Sequence, residues 1–331
     1  MKTTELVANI GIGNEIVRND FDSMPIYREI RKEVDSYGNV FVRIPKFYIK
    51  KESIEGLYDI KISKEKMEGY YLPMVFWDFE KNKELDYYYH GAHEASISSD
   101  GLRLESKSGV LPAHSKNIIQ FRTLAKANGK GYQQNDIHAI DVIQALFYVE
   151  FGTLNSQSIH AGLTDGANKS PSITGFSDGI TASSGAIGVG GKFPFVYRGI
   201  ENPFGSMWEF VDGININEFQ SWIALNADEY TSNVFAEPYK KLSYINSNTN
   251  GYAISMGFDK DYQFAEIPVS VGGSGSTYYS DYYYQATAQR IAMFGGGWTH
   301  ASSAGLSYWH LNVSSGGEGS SIGARLLKKA L

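Results

Sequence analysis

The sequence predicts an α+β fold, and three observations carry that reading. Two stretches repeat apolar residues at helical spacing behind a capping side chain, several short runs alternate apolar and polar residues, and a long Ser/Gly/Thr/Asn-rich stretch separates the helices from the last strands. The 331 residues, 42% apolar and 20% charged, suffice for one large core or two modest ones.

Residues 1–38 are mixed and polar, with Asn14, Asn19, Asp20 and Asp22 interrupting the apolar pattern. They read as an N-terminal attachment segment with one short helix over Pro25–Val34. The main domain is expected over residues 39–331. Val40, Val42 and Ile44 alternate with Phe41 and Arg43 before Pro45, and Phe47 and Ile49 resume the pattern, so two short strands are predicted. Leu57 to Ser63 gives another strand, and Tyr87 to Ser96 a further one with tyrosines on alternate faces. Ser115 is placed to cap a first helix carrying Ile118, Ile119, Arg122 and Ala125, with Gly129 past its end. Asp136 is placed to cap a second, in which Ile140, Ile143, Phe147 and Phe151 recur before Gly152. From Leu154 to Lys192 the periodicity disappears and long loops are expected. No internal repeat is visible.

Composition excludes several function classes. The net charge of -6 gives a nucleic-acid partner no electrostatic support, since backbone binding needs clustered Lys and Arg to replace counterions. No stretch approaches the roughly 20 apolar residues that cross a bilayer, so no membrane insertion is expected, and the first twenty residues lack the apolar core of a signal peptide. Zero cysteines excludes disulfides, thiolate metal sites, cysteine nucleophiles and iron–sulfur clusters.

The segment from Gly199 to Gly213, GIENPFGSMWEFVDG, resembles the Asn-x-x-Gly-x-x-Trp-Glu-x-x-Asp core of the formylglycine-generating-enzyme type of C-type lectin-like fold, through Asn202, Gly205, Trp208, Glu209 and Asp212. Gly296, Gly297 and Trp298 resemble that family's Gly-Gly-x-Trp turn, and Ile322 to Leu326, with Gly323 and Arg325, its terminal Gly-Phe-Arg strand. FVRIPKFYIK at Phe41–Lys50 resembles its opening strand. The resemblance implies a C-type lectin-like fold with two helices, short antiparallel strands and long loops. Within that superfamily the runs GGSGSTYYSDYYYQ, GGGW and AGLSYW are most similar to phage tail receptor-binding proteins and to the variable proteins of diversity-generating retroelements, of the major tropism determinant type. Two departures stand out: the oxidase branch needs paired cysteines, which are absent here, and Ala324 replaces the usual Phe of the terminal motif.

The resemblance implies a tail-tip or baseplate protein that attaches a phage or prophage particle to a bacterial surface receptor, glycan or protein. It further implies contact with other tail or baseplate proteins and a homo-oligomer, with a trimer favoured. A cell-encoded, retroelement-diversified adhesin and a tail structural protein without receptor remain the alternatives. The display region is expected at residues 294–327. From Tyr308 the alternation points Trp309, Leu311 and Val313 inward and turns Tyr308, His310, Asn312 and Ser314 to solvent. Thr299, His300, Tyr308, His310, Asn312 and Ser314, with Glu318 on the following loop, are the expected ligand-binding residues: amphipathic rings and small hydrogen-bonding groups of the kind that paratopes use.

No catalytic role is expected. Trp208 reads as core, and Glu209 and Asp212 as anchors, because nothing supplies a matching nucleophile and no G-x-S-x-G elbow is present. The tyrosines of Tyr278–Tyr284 read as packing or a subunit contact. His90, His93 and Glu94 would suit a metal only on a helix, and their surroundings predict strand and turn. No cofactor is expected. Asp165, Gly166, Asn168 and Asp178 offer oxygens for calcium, but the spacing matches no EF-hand and Asx turns account for the same residues. The glycines at Gly11 and Gly13 lack the remainder of a phosphate-binding fingerprint.

Overall fold

Two α-helices stand among the residues that the computed structural model describes, which are 5–10, 20–54, 57–166 and 172–331. Asn168, Gly11 and Gly13 lie outside them. The second helix, Ile137–Phe151, starts and stops where the sequence predicts: the Asp136 side chain accepts from the Ala139 amide, and Gly152 closes it in the left-handed conformation. Of its 15 residues, 13 are buried, so it is a central helix and not a surface one with a single apolar stripe. The first helix, Ile118–Lys126, is capped by Asn117 and not by Ser115. Asn117 and Gln120 form a reciprocal capping box that satisfies two amides at once, which a serine two residues upstream cannot do.

In chain order the first strands are β1 (Glu5–Ile10), β2 (Arg31–Val34), β3 (Val40–Pro45), β4 (Tyr48–Ile54), β5 (Leu57–Ser63), β6 (Tyr87–Gly91) and β7 (Tyr132–Gln134). The helix expected over Pro25–Val34 is absent. Tyr27–Glu29 forms one 3-10 turn and β2 pairs antiparallel with β3 across Asn39. The charged run RKEV has no apolar stripe to bury as a helix, whereas the edge of β3 pairs its backbone and leaves its side chains largely in water. Tyr27 is buried and its hydroxyl donates to the Leu146 carbonyl at 2.7 Å, which ties this turn to the central helix.

The later strands are β8 (Trp208–Asn217), β9 (Gln220–Ile223), β10 (Lys240–Lys241), β11 (Gly251–Met256), β12 (Pro268–Val271), β13 (Tyr282–Gln285), β14 (Gln289–Phe294), β15 (Trp309–Val313), β16 (Ile322–Gly323) and β17 (Leu326–Lys329). They build a nine-stranded sheet in the order β10-β9-β8-β14-β15-β13-β11-β12, with β16 parallel to β8. The last strand, β17, leaves that sheet and enters a five-stranded one, β7-β17-β6-β3-β2. A third sheet orders β1-β5-β4. Mixed short strands, two helices and long loops make this an α+β fold.

The nine-stranded sheet is covered on both faces. Val211, Ile214, Ala292, Phe294, Trp309 and Leu311 join the large core around the central helix. Trp208, Phe210, Ile291, Met293 and Tyr308 join a second core with Ile118 and Phe121 of the first helix and Tyr132 of β7.

Candidate ligand-binding face

The acids of the lectin-like motif are held in two largely buried ion pairs, Arg325–Glu209 and Arg122–Asp212. Arg325, 1% exposed, donates through Nε to Glu209 Oε1 at 2.8 Å and through its other nitrogens to the carbonyls of Gly91, Glu201 and Asn202. Glu209 also accepts from Asn135 Nδ2 at 2.8 Å. Asp212 accepts from Arg122 Nε at 2.8 Å and from Gln134. Asn202 Oδ1 caps the Phe195 amide. Gly205 turns at φ 77°, and a Cβ there would stand 3.0 Å from the Leu163 carbonyl oxygen, so only glycine fits. These groups are structural: the carboxylates of Glu209 and Asp212 and the guanidinium groups of Arg325 and Arg122 are spent on holding one segment against another.

The hub fixes the start of β8, and with it Trp208, under the end of the last strands. The turn before β15 adds a second constraint. Gly296 turns at φ 82°, with Ala304 packed so close that a Cβ would lie 2.8 Å from the Ala304 Cβ. Trp298 is buried against Leu163 and Met207, which leaves His300 folded back, its Nδ1 3.1 Å from the Gly297 amide.

On this base stands a continuous group of rings. Trp208 packs edge to face with Tyr308 at 4.6 Å, His300 at 4.8 Å and His310 at 5.0 Å between centroids. β13 runs parallel to β15 and sets Tyr284 opposite His310; the two rings stack at 4.9 Å with 24° between planes. Tyr282 meets Tyr308, and Tyr252 of β11 meets Tyr282 at 5.3 Å. The Tyr252 hydroxyl lies 3.2 Å from Ser302 Oγ. Outward from the buried pair Trp208 and Tyr308, the rings become half-exposed at Tyr252, Tyr282, His300 and His310, and Tyr284 is 36% exposed.

The expected residues divide accordingly. His300 and His310 lie at the rim of the ring group, Asn312 is half-buried further along β15, and Thr299, Ser314 and Glu318 are exposed beside it or on the loop beyond. Tyr308, expected in solvent, is instead 4% exposed. The period-two pattern assigns it to the correct side of the ribbon, but that side carries the second core at this point, where Trp208, His300 and Tyr282 cover it. Trp309 and Leu311 are buried as expected, each 1% exposed. Val313 is half-buried and turned toward the second core, because a register shift between β14 and β15 breaks the alternation. Tyr252, Tyr282 and Tyr284 belong to the face, although sequence reasoning does not place them there. A signal for two of them lies in the alternation of STYYSDYYYQ, which puts Tyr282 and Tyr284 on one side.

The face carries little charge. Burial, reinforced by His300, lowers His310 to about 4, and burial lowers His300 as well, so both imidazoles are neutral near neutral pH. His310 Nδ1 is buried without a hydrogen-bond partner among the described residues. Behind the face, Asp281 holds the Ser307 amide at 2.7 Å and is pushed up to about 8 by burial. Such a surface can stack against flat or apolar ligand faces and exchange a few neutral hydrogen bonds.

The remaining expectations fall elsewhere. His90, His93 and Glu94 are all buried; Glu94 accepts from Ser206 Oγ and the Met207 amide, and His93 lies between Glu201 and Asp178. Asp178 accepts from Ser108 Oγ, and Asp165 is exposed. Among the described residues no group of three or more His, Asp or Glu side chains is arranged to hold a metal ion. None of the helices among them is long and apolar enough to cross a membrane.

No protein-family model matches the chain, and no curated protein matches it. It is similar to solved structures of Major Tropism Determinant variants. The P3c and I1 variants are each 13% identical and the U1 variant 12%, each over 98% of this chain and 72% of the other, with a TM-score of 0.36. They belong to the type that the sequence motifs resemble.

Proposed function

We propose that this chain is a phage or prophage receptor-binding protein that attaches to a bacterial surface ligand through the ring face of β11, β13 and β15. The observation that carries the reading is the face itself: half-exposed Tyr252, Tyr282, Tyr284, His300 and His310, on a floor of buried Trp208 and Tyr308, with almost no charge. A solvated surface gains nothing from gathering that many rings, and isolated exposed apolar residues are ordinary whereas a contiguous patch marks a contact. The resemblance of the sequence motifs to phage tail receptor-binding proteins supports the same reading. Binding is non-covalent and needs no cofactor. Individual sites of modest strength are sufficient in a homotrimer on a tail tip or baseplate, because linkage raises avidity by roughly 10²- to 10⁴-fold.

The test is direct binding of the purified chain to arrays of bacterial glycans, wall polymers and intact cells of diverse species. Saturable binding that competes with adsorption of the parent particle supports the proposal. Uniform failure across the panel, with the folded chain verified, refutes it and favours a tail structural role.

A further inference from the structure

A second site shares no residue with the ring face, and its chemistry differs. A cavity of about 320 Å³ opens between β4, β5 and β11. Its walls include Tyr58, Tyr278 and Tyr279, the exposed ring of Phe258, and Met256 and Ile254. At its floor Lys51 is 2% exposed, with its ammonium 2.7 Å from Asp141 Oδ1 and in contact with Glu266 Oε2. Asp141 takes the Tyr71 hydroxyl at 2.9 Å, and Glu266 Oε1 takes the Tyr58 hydroxyl. Two buried carboxylates therefore face one buried ammonium.

We infer that this cavity binds a quaternary ammonium group of the choline type, held by the aromatic walls and by a floor in which two carboxyl groups, Asp141 and Glu266, face the single ammonium of Lys51. Charge selects a cation. The form of the cation follows from the walls and from the hydrogen bonds already made. Glu266 already accepts from Lys51 and Tyr58, and most of the remaining lining is rings and apolar side chains, so the pocket favours a ligand that brings charge over one that brings N–H donors. A methylated ammonium has no donor to satisfy and is attracted to the faces of tyrosine and phenylalanine rings, where desolvated contacts are strong. The charges at the rim are paired with one another. Glu52, the other charged lining residue, is paired with Lys50 at 2.9 Å and with Lys61 on its far side.

Proton linkage gives the site a signature. Burial raises both Asp141 and Glu266 from their ordinary values, and Lys51 counteracts it. Lys51 itself is held protonated by the two acids and Tyr71 against its burial. Tyr58, Tyr71, Tyr278 and Tyr279 at the cavity and Tyr88, Tyr148 and Tyr244 behind it are further titratable groups near the cluster, and burial raises Tyr71, Tyr88, Tyr148, Tyr244 and Tyr279 above their ordinary value. The acids are therefore the groups that take up a proton when pH falls. A bound cation competes with that proton, so its affinity falls as pH is lowered.

The experiment is calorimetric titration of the whole chain with choline chloride, with its uncharged isostere carrying a tert-butyl group in place of trimethylammonium, and with ethanolamine. Choline is expected to bind at least about tenfold more tightly than either, and more weakly as pH falls. Phe258→Ala, at a ring 53% exposed and so harmless to folding, is expected to weaken choline binding several-fold. Glu266→Gln is expected to abolish it in chain that remains folded. Absence of saturable binding at millimolar choline overturns the inference. So do equal binding of the isostere, tighter binding of ethanolamine, or an unaltered affinity in Phe258→Ala. None of these outcomes bears on the ring face, which shares no residue with this cavity.

Discussion

Arg325→Met is the substitution that examines the motif hub most severely. It keeps the volume of the side chain and removes its charge and donors. In the parent, Arg325 is 1% exposed and meets Glu209 and three backbone carbonyls. After the change Glu209, 7% exposed, keeps only Asn135 as partner, and three carbonyls lose a donor. Removing one member of a buried ion pair costs about 3–5 kcal/mol, and each orphaned buried acceptor about 1–3 kcal/mol, sums that are not additive. A loss of at least about 4 kcal/mol is expected, a large share of the roughly 5–15 kcal/mol that keeps an ordinary domain folded. The assay is urea unfolding followed by tryptophan fluorescence, with Glu209→Gln and the double variant completing a cycle. Because Glu209→Gln removes the stranded charge, the double variant is expected to recover part of the loss. A cost below about 1 kcal/mol for Arg325→Met, or a double variant as unstable as the sum of the singles, refutes the claim that this pair is the hub of the scaffold.

Tyr308→Ala is expected to cost about 3–5 kcal/mol of stability, as for a buried ring, whereas Tyr284→Ala costs less than about 1 kcal/mol; denaturant midpoints of the two variants check both. Asp281→Asn tests the buried acid behind the face. Its carboxyl holds a proton up to about 8 when folded, against 3.8 ordinarily, so as pH rises through that interval the unfolded chain gives up the proton first and the folded state loses stability. The amide has no proton to lose, so the Tm of the variant relative to the parent should rise between about pH 4 and pH 8 and stay level above it; a constant difference refutes the reasoning. Gly205→Ala forces a methyl against the Leu163 carbonyl at positive φ and should cost about 1–3 kcal/mol, measured in the same way.

Much of the architecture is legible in the sequence because its signals are local. Asp136 and Gly152 bound the central helix by chemistry that any helix needs, and the alternation of residues 40–44 and 57–63 is enough to define strands. The elements that sequence reasoning misses depend on partners elsewhere. β2 is a strand because β3 offers it an edge, which RKEV alone does not announce. Asn117 displaces Ser115 as cap because Gln120 returns the bond. At the site, the alternation gives the parity of β15 correctly, but parity names a side and not what covers it: Tyr308 is buried by Trp208, which arrives from β8. Likewise Tyr252, Tyr282 and Tyr284 join His310 only through the parallel pairing of β13 with β15, a contact between segments that no local pattern encodes.

The combined replacement of Tyr284, His310 and Asn312 by alanine tests the central claim most directly, because it strips the outer rings and amide while leaving Trp208, Tyr308, Trp309 and Leu311 in place. Binding to the bacterial surface ligand is measured with parent and variant in parallel, alongside Tm. The ring face predicts at least about a tenfold loss of affinity in a variant that melts within a few degrees of the parent. Undiminished binding by that folded variant would contradict it.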